Sequence, residues 1–590
     1  MTAKMPAGLA LAAAFSLALP ALARAQNPSE SLPNPKPLRT ASVARLANVD
    51  ELRQRFGLAA YDNLPVETLK IAVLDYGFDR IDGVRRYLPE GAVLVEHYDP
   101  EFVRRFKLGD PEYRKSFAPL NPHGRMMAQI IWAVTGFNPR GPKFYLLNAN
   151  GPTMLRRAVR YAIEAKVDII LFCGTFEGGG NGDGRGPINR VVADAVAAGI
   201  LWINAAGNYG GHVYNGPVEV LPSGYLRLGK GSDETALRFR NLLDENTVTI
   251  TLTWNDYREE EDAGTDKDLD LYVEDWLGWV AGSSEKKQIT GAGKNDPEES
   301  RNPRERIVLT DLAADREHDY LIRIKAKSGK FTPDDRLRVV ITSSREGFLD
   351  PKTGAPTEAI QFLDASHKGE MYPPADNPLV LTVGDSSPNS SAGPTADYRR
   401  KPDIILEDSN AAFTNGDLTA GASNAAAYFA GIVALMKAAE PGLSTRHLLW
   451  FAHHDKATSV ALDTSDTSLG ITPRAIQRRL PTTDRLRQAI ESMSAPTGTQ
   501  YYYSTSTGIP RYYSAPTQVR PADVRLYGTP RSATDASAIS QSPKVTGARQ
   551  AEVLKVPPKE VGVRPVTPML IWRTPTREHL TEVVHEGQSK

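Results

Sequence analysis

Four polar residues spread along the chain carry the side-chain types that a single acyl-transfer site needs: Asp75, His123, Asn208 and Ser423. A serine hydroxyl is a weak nucleophile until a base takes its proton. An imidazole can be that base, and a carboxylate can fix its tautomer and stabilise the imidazolium that forms. A side-chain amide can donate to the oxyanion that develops during attack, and losing such a donor costs about 10²–10³ in turnover. Each residue alone has a plainer use. Asp75 could cap a turn, His123 a helix, and Asn208 could sit in a Gly-Asn turn. Ser423 could be a helix N-cap, a position serine favours.

The elements around them decide between these uses. An apolar run over 69–75, LKIAVLD, reads as a strand ending at Asp75. Residues 123–134 read as a helix starting at His123, and GILWIN reads as a strand leading into AAGN and Asn208. The stretch 421–435, GASNAAAYFAGIVAL, predicts a helix that is apolar on every side and therefore buried. Its small side chains let neighbouring backbone approach. Ser423 lies near the start of that helix, where unpaired N–H groups and the dipole favour developing negative charge. Further strands are expected at 92–96, 143–148, 167–173 and 379–383, with helices at 155–165 and 188–198. Continuous apolar strands alternating with helices predict a mostly parallel sheet covered on both faces. In such sheets functional residues gather beyond the carboxyl ends of the strands.

These stretches, taken in order, resemble the active-site motifs of the subtilisin-like serine proteases. The DxG pattern is Asp75-Tyr76-Gly77, the HG pattern His123-Gly124, the AAGN pattern Ala205 to Asn208, and the serine motif Gly421 to Gly431. A fifth stretch, SSAGPTADYRRKPDI from Ser390 to Ile404, resembles the segment that precedes the serine motif in that family. The resemblance covers about residues 67–215 and 360–457. It implies a subtilisin-like doubly wound α/β fold and an endopeptidase acting through an acyl-enzyme. Ser423 would be the nucleophile, His123 the general base and then acid, and Asp75 its orienting partner. Asn208 and the backbone N–H of Ser423 would form the oxyanion hole. The pocket for the residue before the scissile bond would be walled by Phe172, Cys173, Gly174 and by Ala205, Ala206, Gly207, which suggests an apolar preference. Arg125 stands where threonine usually follows HG, Ala422 replaces the common threonine of the serine motif, and Ala427 and Tyr428 stand where a proline and often a histidine or tyrosine sit. A non-catalytic binding protein of the same fold, and an esterase or amidase with the same triad, are the competing classes.

The organisation of the 590 residues fits that reading. Lys4, an apolar run over 9–22 and Ala23-Arg24-Ala25 form a leader with cleavage expected after Ala25, hence export to the periplasm or beyond. The apolar run is shorter than the roughly 20 residues that span a bilayer. Lys+Arg and Asp+Glu both number 70, which argues against nucleic acid or an anionic membrane as the main partner and leaves proteins or peptides as substrates. Cys173 is the one cysteine, so no intramolecular disulfide exists, and its apolar setting reads as an inert buried thiol. Adjacent His453 and His454 do not share a helix face and are not read as a metal site.

The expected divisions are a leader (1–25), an N-terminal extension (26–66) with a short helix at 43–56, and a first catalytic part (67–215). An inserted all-β sandwich (216–355), a second catalytic part (356–458) and a low-complexity C-terminal tail (459–590), largely disordered, complete the chain. In the insert, TLTWNDYREEEDAGTDKDLDLYVED is similar to jelly-roll domains that accompany some subtilisin-like proteases, although those follow the catalytic serine. No cofactor is required. Asp266, Asp268 and Asp270 could supply oxygens to a structural calcium, or, alternating along a strand, simply face solvent.

Overall fold

The computed structural model describes residues 58–454 apart from short stretches, the longest being 106–120, together with a few residues on either side. The leader and its cleavage site lie outside the described residues. Of the helix expected at 43–56, only Val49, Arg53 and Gln54 are described, and all three are helical.

The chain first lays down β1 (Lys70–Asp75), β2 (Val93–Val95), α1 (His123–Val134), β3 (Lys143–Asn148), α2 (Pro152–Ala165), β4 (Ile169–Phe172), α3 (Pro187–Ala197) and β5 (Leu201–Ala205). The same sheet is completed much later by β15 (Leu381–Asp385) and β16 (Ile404–Leu406), followed by α4 (Ala422–Ala439) and α5 (Thr445–His454). Between them come the antiparallel strands β6 to β14. The parallel sheet has the order β2-β3-β1-β4-β5-β15-β16. Its strands are buried almost throughout, as continuous apolar runs require when helices cover both faces.

One face carries α1 and α4. Every residue of α1 is buried, as is α4 from Ala422 to Met436. The small residues of α4 matter where it crosses α1: a Cβ on Gly431 would lie 2.6 Å from Val134 Cβ, so only glycine allows that approach. α4 is also the one helix among the described residues long and apolar enough to cross a membrane, but it is a core helix here. The other face carries α2 and α3, whose apolar stripes (Leu155, Ala158, Val159 and Ala162 on α2) pack on Ile170, Phe172 and Trp202.

Strands β6 (Val213–Pro217), β7 (Ala236–Asn241), β8 (Asn246–Trp254), β9 (Asp268–Glu274), β10 (Val280–Ser284), β11 (Arg304–Leu312), β12 (Tyr320–Ser328), β13 (Arg336–Ser343) and β14 (Ile360–Phe362) form two antiparallel sheets. Their orders are β10-β9-β12-β7-β14 and β11-β8-β13-β6. Alternate residues of both, such as Leu269, Leu271 and Val273 against Ile250, Leu252 and Trp254, share one core. The sheets reach from 213 to 362, slightly wider than the texture change at 216–355, because their edge strands are short and lack an obvious periodicity. The outer face of the four-stranded sheet docks on the α/β body. There Thr251 Oγ1 donates to Glu177 Oε2 at 2.8 Å and Arg338 Nη1 to the Met371 carbonyl at 2.7 Å.

One part of the tail differs from expectation. Gln500–Ser504 and Arg511–Ala515 pair as an antiparallel hairpin with Tyr502 opposite Tyr513 and Tyr503 opposite Tyr512. Low complexity hid a β pattern: tyrosine favours extended backbone, although aliphatics are scarce here. The rest of the expected disordered tail lies outside the described residues, apart from Arg487 and its neighbour.

Candidate active site

Register brings the candidate residues to one sheet edge. Leu74 is level with Phe172, Phe172 with Asn204, and Ala205 with Val383. The ends of β1, β4, β5 and β15 therefore open on a common crevice, beside the switch point where the chain leaves β1 for opposite sides of the sheet. Asp75 ends β1, Cys173 follows β4, Asn208 lies three residues beyond β5, and α4 begins at Ala422.

Asp75 and His123 meet. Asp75 Oδ2 is 2.7 Å from His123 Nδ1, and both side chains are buried, at 1% and 8% relative exposure. The other carboxylate oxygen accepts the backbone N–H groups of Tyr76 (2.8 Å) and Gly77 (3.4 Å), which fixes the carboxylate plane. His123 is the first residue of α1, and its own N–H is taken by Asn121 Oδ1 at 2.9 Å. Gly124 explains the close approach: a Cβ there would sit 2.8 Å from Asp75 Cβ and inside the Phe78 ring. Burial pulls the imidazole pKa down, but the charge and hydrogen bond of Asp75 more than offset it, leaving His123 above its usual 6.5.

Ser423 is not a helix cap. The N-cap of α4 is Gly421, at φ +107°, with no side-chain capping bond. The Ser423 hydroxyl instead donates to the Cys173 carbonyl at 3.5 Å, a long contact, and among the described residues it makes no hydrogen bond to His123. Asn208 reaches the same helix start, its Oδ1 accepting the Ala422 N–H at 3.1 Å. Asn208 is exposed.

A buried network holds that start in place. Ser409 Oγ donates to Asp385 Oδ2 (2.7 Å) and accepts the Gly421 N–H (2.9 Å). The Ser390–Ile404 stretch supports the neighbouring strand ends. Ser390 Oγ accepts the Asp385 N–H at 3.1 Å, and Ser391 Oγ accepts the Tyr209 N–H at 3.0 Å. Lys401 and Asp403 form a buried pair at 2.6 Å, with Asp403 also accepting the Thr382 N–H. Asp385 and Ser409 escaped the sequence reading because neither lies in a recognisable spacing with Ser423.

The residues that depart from the family pattern are all buried. Arg125 is buried on α1, its guanidinium 4.7 Å from the Tyr87 ring centroid and donating to Gln129 one turn on. Ala422 and Ala427 are fully buried, and the Tyr428 hydroxyl donates to the Asn410 carbonyl at 2.8 Å.

The expected pocket walls need one correction. Phe172 faces the α2/α3 core, stacked on Phe176 and edge-on to Tyr76, because side chains alternate across a strand. Cys173 belongs to the α1/α4 core with its sulfur 3.9 Å from the Ser423 carbonyl. Burial, then the Asp75 charge, hold its thiol well above the usual range, so it is inert. Gly174 and Ala205 are joined by Asn204, whose Nδ2 donates to both carbonyls at 3.0 and 2.8 Å. Ala206 is buried, and Gly207 turns at φ +99°.

Of the candidate calcium ligands, Asp266 is exposed, as alternation suggested, but the other two are not. Asp268 and Asp270 are buried, and Asp270 Oδ2 is taken by Lys327 (2.8 Å) and by the Tyr272 hydroxyl (3.0 Å). Among the described residues no three His, Cys, Asp or Glu side chains converge on a position for a metal ion.

A parallel α/β sheet with a buried carboxylate–imidazole pair and a serine at a helix start, all at the carboxyl edge, is the arrangement that a serine hydrolase requires. Residues 67–471 match the subtilase family, and the chain belongs to it, a family of serine peptidases. Among solved structures it is similar to the CspB protease of Clostridium perfringens, at 14% identity over 75% of this chain and 98% of that one, with a TM-score of 0.47. It is also similar to MycP1 with its N-terminal propeptide removed (16%, 77% and 99%, TM-score 0.32) and to MycP1 from Mycobacterium smegmatis (15%, 77% and 86%, TM-score 0.32). No curated protein matches the chain.

Proposed function

We propose that this subtilase is an exported endopeptidase that hydrolyses peptide bonds through an acyl-enzyme on Ser423. The observation that carries the reading is the buried Asp75–His123 pair at 2.7 Å, which leaves Nε2 as the basic nitrogen of the imidazole. Ser423 Oγ attacks the scissile carbonyl while His123 Nε2 takes its proton. The carbonyl oxygen becomes an oxyanion held by the Ser423 N–H and Asn208 Nδ2. His123 then gives the proton to the leaving amine, and water repeats the sequence to free the acid and regenerate the serine. The long Ser423–Cys173 contact suits a resting hydroxyl, since catalytic hydrogen bonds commonly tighten only once substrate is bound. The site needs no cofactor, because its own groups supply nucleophile, base and oxyanion donors. The N-terminal leader supports export, with a mature N-terminus at Gln26.

A fluorophosphonate probe tests the reading. Wild-type protein should be labelled and Ser423→Ala should not. Folded wild-type protein that stays unlabelled would point to a binding protein of the same fold. Labelling without cleavage of any protein or peptide would favour an esterase or amidase.

A further inference from the structure

The gap expected to receive the side chain before the scissile bond lies between residues 173–175 and 205–207, and its floor is filled with tyrosine. Tyr209 follows Asn208 directly and turns inward, its ring against Gly207, where a Cβ would lie 3.2 Å from the ring edge. Its hydroxyl reaches across the gap to within 3.4 Å of Thr175 Oγ1. Tyr372 packs edge-on beneath it, with ring centroids 5.1 Å apart and only 2% of its surface exposed. On the far side Tyr76 lies against Gly174, where a Cβ would collide with its ring, and donates to the Thr175 carbonyl at 2.7 Å. Tyr209 and Tyr372 therefore pack together on one side of the gap, and Tyr76 lies against Gly174 on the other.

The antiparallel sandwich holds this floor up. Arg338 on β13 places its guanidinium 5.3 Å from the Tyr372 ring centroid and donates to the Met371 carbonyl just before it. Thr251 on β8 binds Glu177, two residues beyond Thr175, and Val340 of β13 and Val213 of β6 pack with Tyr209 and Tyr372. A close-packed interior transmits such support with little give.

We infer that Tyr209 and Tyr372, braced by the sandwich, close the specificity pocket so that the enzyme accepts only a small side chain, that of glycine or alanine, before the scissile bond. The inference rests on the acyl-enzyme reading above and replaces the general apolar preference expected from the pocket walls. It also gives the inserted strands a part in selectivity.

The test compares covalent labelling by two aminoalkyl diphenyl phosphonates that differ only in carrying an alanine or a phenylalanine side chain. A small fluorophosphonate, which needs no pocket, serves as the reference. Wild-type enzyme should react with the alanine reagent at least about tenfold faster than with the phenylalanine one, since side-chain misfit in a pocket is worth factors of that order. Tyr209→Gly and Tyr372→Gly should raise the phenylalanine rate relative to the fluorophosphonate rate of the same variant, and Tyr209→Phe, which keeps the ring, should leave the alanine-to-phenylalanine ratio unchanged. Equal or faster reaction of wild type with the phenylalanine reagent overturns the inference, and needs no variant to fold. Absence of fluorophosphonate labelling in folded protein overturns the acyl-enzyme reading instead, and the pocket inference with it.

Discussion

Asn208 accepts the Ala422 backbone N–H through Oδ1 at 3.1 Å, one residue before Ser423. The contact orients the amide, because one end is used to pin the start of α4 and the other is left as a donor. Asn208→Asp keeps the acceptor and removes the donor, so it separates the two roles. Turnover should fall by about 10²–10³ with KM little changed. Retention of full kcat in Asn208→Asp would remove Asn208 from the oxyanion hole.

The His123 shift sets the pH dependence. The base must be neutral, and its pKa is raised above 6.5 against burial by Asp75, so kcat/KM should fall as pH drops through a value above 6.5. The linked stability runs the other way. The preference for the protonated imidazole in the folded state contributes fully below pH 6.5 and is lost as pH rises through the folded pKa. Asp75→Asn should lower the His123 titration midpoint in an NMR titration and reduce turnover by about 10⁴. A midpoint that does not move would contradict the pairing.

Gly124 is required by contact with Asp75 and Phe78, not by backbone conformation. Gly124→Ala should destabilise the fold by about 1–3 kcal/mol through overpacking. Displacing His123 should cost about 10²-fold in kcat, since misplacement by about 1 Å has that effect. Denaturant unfolding and steady-state kinetics check the two parts separately.

Ser409 links the buried Asp385 carboxylate to the Gly421 N–H. Ser409→Ala leaves both without this partner and should destabilise by about 1–3 kcal/mol. Loosening the start of α4 should also lower kcat more than it raises KM. Unchanged kcat with lowered stability would make Ser409 a purely structural residue.

Asp183 in the glycine-rich loop has a carboxyl raised from 3.8 to about 6, by burial first and by the nearby Asp376 second. A raised carboxyl disfavours the folded state as it ionises, so its cost appears as pH rises from 3.8 to about 6 and persists above. Asp183→Asn keeps the Oδ1 acceptor for the Arg185 N–H and should raise Tm at pH 8, with the gain vanishing below about pH 4. A gain that is independent of pH would refute the electrostatic origin.

The parallel sheet was legible because its strands are continuous apolar runs, and α1 was legible to the residue because it starts at His123 and is mostly apolar through Val134. Asp75, His123, Asn208 and Ser423 were legible as a set because each falls where a strand or helix ends, and ends are marked in the sequence by glycine and polar residues. What contacts what was not. Phe172 was assigned to a pocket wall, yet strand alternation turned it to the opposite core. Asp268 and Asp270, expected to face solvent or calcium, are buried beside Lys327 and Tyr272.

Sequence alone thus determined which elements form and which four residues reach the common edge, since periodicity and chain punctuation are local properties. Tertiary structure decided that Ser423 points to the Cys173 carbonyl, that Ser409 ties Asp385 to Gly421, and that Tyr209 packs edge-on to Tyr372. The first of these joins residues 250 positions apart. They depend on register, helix crossing and side-chain direction, which only the packed chain fixes.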